Sequence, residues 1–341
     1  MTANIPQLSA AEIAALRSQV ATRSAELRRE LVWLDTIDAR HADATKAPAS
    51  LRVVAFNAER GSRFEGIREL LAHHPELRRA DVVLLSEVDW GMARSGNRHV
   101  ARDLANALGL GYAFGIEFLE LTKGEAAELD APGDNTLSLH GNAILSRWPL
   151  DNVQVLRLPV RCSWAEGSQA RIGSRMAVLG EVRTAGGWLT LASTHLENRT
   201  SPQGRAEQMR ALLSTVVGDH PAVIGGDLNT STIDSGDNDQ ILSVPQLLQA
   251  NPHRLRQPEG YEPLFADVRD AGFLVDEVNA AGVPTNVPLG ILDPTYWLKV
   301  DWIFARGVRP VRSGPPKVVA AELDGARVSD HDFVVADVEV E

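Results

Sequence analysis

Short apolar runs punctuate the chain, and several of them end abruptly in a polar side chain. LRVVAFN (51–57) and DVVLLSE (81–87) read as strands buried on both faces, and RFEGIRELLAHH (63–74) between them reads as a helix. That order is a βαβ unit, which places the two strands in one sheet with their C-terminal ends on one edge. A further helix is expected over 97–108. Upstream, Ser9 and Glu12 form a capping box for a helix over 9–36, whose Ile13, Leu16, Val20, Leu27, Leu31 and Leu34 fall near one stripe. Residues 40–50 read as a linker. Segment 1–50 is therefore expected to hold a helix and linker, and 51–341 the globular domain.

After Gly111 the rhythm changes to strand after strand, at 111–121, 140–147, 153–160, 175–184 and 187–195, with Ala185 and Gly186 joining the last two as a hairpin. Ser201 and Pro202 open a helix over 202–217 that leads into a strand at 222–226. Further strands are expected at 299–305, 317–322 and 332–340. Two β-rich halves that each carry helices imply two sheets packed face to face with helices outside. Two long irregular segments, 122–139 and 231–298, are the expected walls of a substrate pocket, the second with helical stretches at 241–250 and 263–271. The acidic group Asp234, Asp237 and Asp239 lacks the EF-hand pattern and reads as a solvated loop.

AVIGGDLNT (222–230) concentrates the chemistry. Its apolar run ends in two glycines that permit close approach, and Asp227 and Asn229, two residues apart, present a carboxylate and a carboxamide together. The same arrangement could cap a turn. It gains weight because Asn57, Glu59, Glu87, His195, Asp301, Asp330 and His331 also end apolar strands. Carboxylates converging in one cleft repel one another and raise their pKa values unless a cation neutralises them. Oxygen donors without cysteine favour magnesium, or manganese, over zinc.

Composition narrows the setting. At 341 residues and 44% hydrophobic the chain can bury a large core. A net charge of −11 disfavours sequence-independent binding to a nucleic-acid backbone. The single cysteine, Cys162, excludes an internal disulfide and leaves cysteine-based metal sites unsupported. With no signal-peptide pattern and no apolar run of about 18 residues, a cytoplasmic protein without a membrane anchor is expected. The N-terminal helix is a candidate for self-association.

The ordered series FNAE (56–59), LLSE (84–87), HGNAILSR (140–147), STHLE (193–197), GGDLNT (225–230), VDWIF (300–304) and SDH (329–331) resembles the endonuclease/exonuclease/phosphatase superfamily across 51–341. The resemblance implies an α/β fold, a four-layer sandwich of two packed mixed β-sheets flanked by helices, here with an additional N-terminal helix. It implies a metal-dependent site that hydrolyses phosphoesters. Glu87 would be the principal magnesium ligand, Asp330 would lie in the metal's shell, and Glu59, where many members have Asp, one step further out. Asp227 would orient the attacking water with Asn229 beside it. His195 would contact the scissile phosphate, and His331, held by Asp301, would bond the phosphoryl oxygen or assist proton transfer. Asn57 and Asn142 would support the phosphate, and Arg175 is the preferred arginine for substrate among Arg147, Arg161, Arg171 and Arg175.

The expected reaction is therefore magnesium-dependent hydrolysis of a phosphoester, foremost a phosphodiester, by in-line attack of an activated water. A nuclease acting on DNA or RNA and a catalytically silent binding scaffold are the alternatives. The proline-serine-tryptophan-cysteine block of the inositide 5-phosphatases is absent, with DPTYWLKVDW (293–302) in its place. Trp164, Tyr296 and Trp297 are candidates for stacking on a base or for contact with an apolar leaving group.

Overall fold

The runs at 51–57 and 81–87 lie side by side as parallel strands, β2 (Ser50–Arg60) and β3 (Val82–Trp90), joined by α2 (Phe64–His73). They belong to a computed structural model that describes residues 5–340 except 45–46, 217, 219, 231–250, 252, 289–290, 292 and 312–313. Around this unit the first sheet runs β1 (Ile37–Arg40), β4 (Gly111–Glu120), β5 (Leu139–Ser146), β3, β2, β16 (Phe333–Val340), β12 (Val308–Pro310). β7 (Arg171–Gly173) adds to β4 and β13 (Lys317–Val319) to β16, while β14 (Glu322–Leu323) and β15 (Ala326–Arg327) pair, among the described residues, only with each other. The second sheet runs β11 (Asp301–Arg306), β10 (Ala222–Asp227), β9 (Gly187–His195), β8 (Met176–Thr184), β6 (Asp151–Arg157). β8 and β9 form the expected hairpin, with Thr184 opposite Gly187.

The faces of the two sheets explain why most central strands lack alternation. Val53, Ala55, Val82 and Leu84 point to the second sheet and pack with Val178, Leu191, Val223 and Ile303. Their neighbours Val54, Phe56, Val83 and Leu85 point the other way and pack under α2 and α3 (Val100–Leu108) through Ile67, Leu70 and Leu104. On the far side of the second sheet, Ile224 and Trp302 meet Met209 and Leu212 of α4 (Pro202–Thr215) and Leu264 and Phe265 of α5 (Leu264–Asp270). Both faces of both sheets are covered, which gives the four layers. The expected helix at 241–250 and the Asp234, Asp237, Asp239 group lie outside the described residues.

The N-terminal segment departs from expectation. The capping box is present, with Ser9 N donating to Glu12 at 2.7 Å, but the helix α1 (Ala10–Glu30) stops six residues early. Leu31 leaves helical geometry and a short 3-10 turn, Val32–Asp35, carries Leu34 into the core under the first sheet. Residues 37–40, between the expected helix and the linker expected to begin at residue 40, pair with β4 as an edge strand. There Asp38 is buried, accepting from the Tyr112 hydroxyl at 2.6 Å and lying 3.0 Å from His99 Nε2. The β-branched Thr36 and Ile37 favour extended backbone once a sheet edge is available, and tertiary pairing overrides the helical period. No helix among the described residues is long and apolar enough to cross a membrane.

Gly225 and Gly226 set the approach of the two sheets beside the site. A Cβ on Gly225 would sit 2.8 Å from Leu84 of the facing sheet. Gly226 has φ 143°, and a Cβ there would meet the Thr194 carbonyl at 1.9 Å. Neither position admits another residue without movement.

Candidate active site

Strand register assembles the first half of the site. In the second sheet Asp227 pairs with His195 of parallel β9 on one side and with Asp301 of antiparallel β11 on the other. Three polar side chains thus stand in a row at one sheet edge. The first sheet brings Asn57, whose amide donates to Asp227 at 3.0 Å, and the loop before β16 brings His331. His331 is anchored from below, its N–H donating to Ser329 Oγ at 3.1 Å while Ser329 Oγ donates to the Asn57 carbonyl at 2.8 Å.

Local backbone geometry turns the acids into the same space. Glu59, Glu87 and Asn229 all hold positive φ, at 43°, 50° and 50°. At β2 and β3 these conformations coincide with register shifts, between Asn57 and Arg60 and between Leu85 and Val88. A bulge at a strand end re-aims a side chain at a modest cost in strain, and such strain gathers where function requires it. Glu59 accepts from the Asp330 N–H at 3.2 Å, which ties the two acids together.

The two histidines have opposite electrostatics. His331 lies 2.8 Å through Nδ1 from Asp301 Oδ2, and its Nε2 is 3.7 Å from Asp227 and 3.9 Å from Asp330. Burial opposes its charge, but Asp301, Asp330 and Asp227 outweigh burial and hold it well above the usual histidine range. For His195, burial and the nearby Arg175 drive the pKa well below that range, so the ring is neutral. Its tautomer follows from a neighbour. The Asn229 amide nitrogen donates to the Leu196 carbonyl at 2.9 Å, which orients the amide, and the same nitrogen lies 3.0 Å from His195 Nε2. Nε2 therefore accepts, and Nδ1, buried with no hydrogen-bond partner among the described residues, carries the proton.

The carboxylates divide the same way. Burial and the neighbouring Asp301 push Asp227 up to about 7, against the pull of His331. Burial, Asp330 and Glu87 raise Glu59 as well. Glu87 is held well below the usual range: burial resists its charge, and Arg60, His195, His140 and His331 overcome it. Its carboxylate lines the cleft and makes no hydrogen bond to a described residue. An ionised, unbonded carboxylate beside acids whose pKa values rise for want of positive charge is a donor set suited to a hard divalent cation. Asp227, Asp301 and His331 also lie close enough together to share an ion.

The cleft holds about 250 Å³ and is lined by Glu87, His195, Asp227, Asn229, Asp330 and His331. Asn57, Glu59 and Asp301 stand behind these residues. Asn142 is buried in β5, donates to the Met176 carbonyl at 3.2 Å and does not line the cleft. Arg175 does line it, yet its guanidinium is 2.8 Å from Glu117 and 3.6 Å from Glu197. Arg147 and Arg161 pair with Asp81 and Glu207 away from the cleft. Tyr296 and Trp297 are also absent from its walls. Of the two long segments, 122–139 contributes Glu125 and 231–298 contributes Asn286. Arg60, His140, Gln169, Asn198 and Arg199 line the cleft as well and were not singled out from the sequence. The sequence signals for them were position alone: Arg60 follows FNAE, Asn198 and Arg199 follow STHLE, and His140 opens HGNAILSR.

The sequence profile of the Endonuclease/Exonuclease/phosphatase family matches residues 54–331. The chain belongs to that family. It is accordingly a phosphoester hydrolase, and every site residue named above lies within the matched span. Among solved structures the fold is shared with an endonuclease/exonuclease/phosphatase from Beutenbergia cavernae DSM 12333, at 20% identity and TM-score 0.57, over 85% of this chain and 72% of that one. The human Nocturnin catalytic domain aligns at 15% identity and TM-score 0.55, over 90% and 97%. A 3′-5′ exonuclease from Neisseria meningitidis aligns at 16% identity and TM-score 0.50, over 84% and 98%. No curated protein matches this chain in sequence.

Proposed function

We propose that the protein is a magnesium-dependent phosphodiesterase that cleaves its substrate by in-line attack of a water activated at Asp227, with manganese as a possible substitute ion. The observation that carries the reading is the convergence of Asp227, the Asp301–His331 pair and the unbonded Glu87 on one cleft. Glu87 and Asp330 would hold the cation, with Glu59 tying Asp330 in place. When bound, magnesium supplies positive charge to the phosphoryl oxygens and the departing oxygen.

The chain's own residues divide the remaining work. Asp227, fixed by Asn57 through one oxygen and by the Asn229 N–H at 2.8 Å through the other, accepts the water's proton. His331, charged and oriented by Asp301, donates from Nε2 to a phosphoryl oxygen. Neutral His195 borders the same group beside Asp227, and Asn229 sets its tautomer. These preset donors need no reorganisation as charge develops. Asn142 and Arg175 act as supports rather than as direct contacts, because both are committed to neighbours.

The test is hydrolysis of bis-p-nitrophenyl phosphate with magnesium and with EDTA, by the wild type and by Glu87→Gln and Asp227→Asn. Activity in magnesium that EDTA removes, and a fall of about 100-fold or more in each variant, is expected. Full activity in EDTA, or in both variants, would overturn the assignment.

A further inference from the structure

One wall of the cleft carries guanidinium groups that the hydrolytic residues do not use. Trp164 is buried, anchored by its Nε1–H donating to Glu197 at 2.9 Å. Its ring holds the Arg171 guanidinium 3.8 Å from the centroid and that of Arg199 at 4.2 Å. Trp164 is therefore a platform for cations rather than for a base. Arg171 is buried and makes one long ion pair, its Nη1 donating to Glu120 at 3.5 Å, while its Nε has no hydrogen-bond partner among the described residues. Arg199 is exposed and its guanidinium makes no ion pair or hydrogen bond among the described residues.

The placement of charge across this wall is one-sided. Arg171, Arg199 and Arg175 line the cleft, whereas Glu117, Glu120 and Glu197 do not. The counter-charges stand behind the guanidiniums, so the face presented to a ligand is cationic. The strongest electrostatic neighbours of Arg171 are Glu120, Arg175, Glu117 and Glu197, none of them in the Asp227–His331 cluster. The scissile phosphate belongs at that cluster, and Arg171 and Arg199 are left for another anion.

We infer that Arg171 and Arg199, stacked on Trp164, form a second phosphate subsite, so that the substrate carries a phosphate group flanking the one that is cleaved. This rests on the phosphodiesterase reading of the neighbouring cleft. The planar fork of arginine matches the oxygens of a phosphate, and a fork held on a rigid ring, as Arg199 is on Trp164, loses little freedom on binding. The second phosphate belongs either to a small bisphosphorylated molecule or to the next link of a nucleic-acid strand.

The experiment compares three substrates with the full-length protein in magnesium: thymidine 5′-(p-nitrophenyl phosphate), the same ester bearing a 3′-phosphate, and the same ester extended at the 3′ oxygen by one nucleotide. Wild type should prefer the 3′-phosphorylated ester or the extended one by about tenfold in kcat/KM. Arg199→Ala and Arg171→Gln should each erase most of that preference through KM, and Arg199→Lys should restore part of it. Preference for the terminal phosphate assigns a small bisphosphate, and preference for the extended ester assigns a strand. A wild type that cleaves all three equally, or variants that keep the preference, would refute the subsite while the hydrolase stands. Calorimetry in EDTA with inorganic phosphate separates the two readings. If none of the esters is cleaved, the hydrolase reading fails, and the subsite then stands or falls on whether Arg199→Ala weakens phosphate binding about tenfold.

Discussion

Nδ1 of His331 lies 2.8 Å from Oδ2 of Asp301, on an element 30 residues away in the chain, and this contact keeps a buried imidazole charged. Asp301→Asn removes the charge while conserving shape. It should lower kcat on bis-p-nitrophenyl phosphate by about 100-fold. Because the two residues act as a unit, Asp301→Asn combined with His331→Gln should cost little more than either alone. A double variant whose loss equals the product of the single losses would show that the pair does not work together.

The pH dependence of stability follows from Asp227. Its folded pKa of about 7 lies above the 3.8 of an ordinary aspartate, so the folded chain holds the proton more tightly than the unfolded one. The associated stability is fully present below pH 3.8 and is lost as pH rises through about 7. A divalent cation relieves the penalty by favouring the carboxylate. The rise in Tm on adding magnesium should therefore be larger at pH 7.5 than at pH 5, and Asp227→Asn should flatten the pH dependence in EDTA. Thermal scans at matched ionic strength decide it. An equal magnesium effect at both pH values would contradict the coupling.

Gly226 joins the fold to the chemistry, one residue before Asp227. With φ 143° and only 1.9 Å from a Cβ to the Thr194 carbonyl, Gly226→Ala should destabilise the chain by about 3 kcal/mol. Urea unfolding should show a lower midpoint with little change in slope. A change below about 0.5 kcal/mol would mean that the strand pair yields easily.

The N-terminal segment should matter for stability more than a linker would. Asp38→Ala leaves the Tyr112 hydroxyl and the His99 ring without their shared buried partner, at a cost of about 2 kcal/mol. Deleting residues 5–45 removes β1 and exposes the edge of β4, and should lower Tm much further. A truncated chain as stable as the full one would show that β1 is an accessory.

Local sequence determined the pieces that depend on neighbours in the chain. Apolar runs at 51–57 and 222–226 specify buried strands, Ser9 with Glu12 specifies a helix start, and a βαβ order specifies parallel pairing. The motifs STHLE and GGDLNT placed His195 and Asp227 at strand ends, where side chains turn polar as the core stops, whereas Glu87 of LLSE lies at a register shift inside β3 and His331 of SDH in the loop before β16. Three things were left to the tertiary structure. β1 forms because an open edge of β4 offers hydrogen bonds that no local propensity reveals. The opposite charges of His331 and His195, alike as isolated residues, are decided by three carboxylates around one and an arginine beside the other. Arg171, Trp164 and Arg199, which lie 7 and 35 residues from the tryptophan in sequence, meet only when β7 and the turn after β9 close on the same cleft. Burial and long-range electrostatics set these outcomes, and both depend on distances that a linear sequence does not contain.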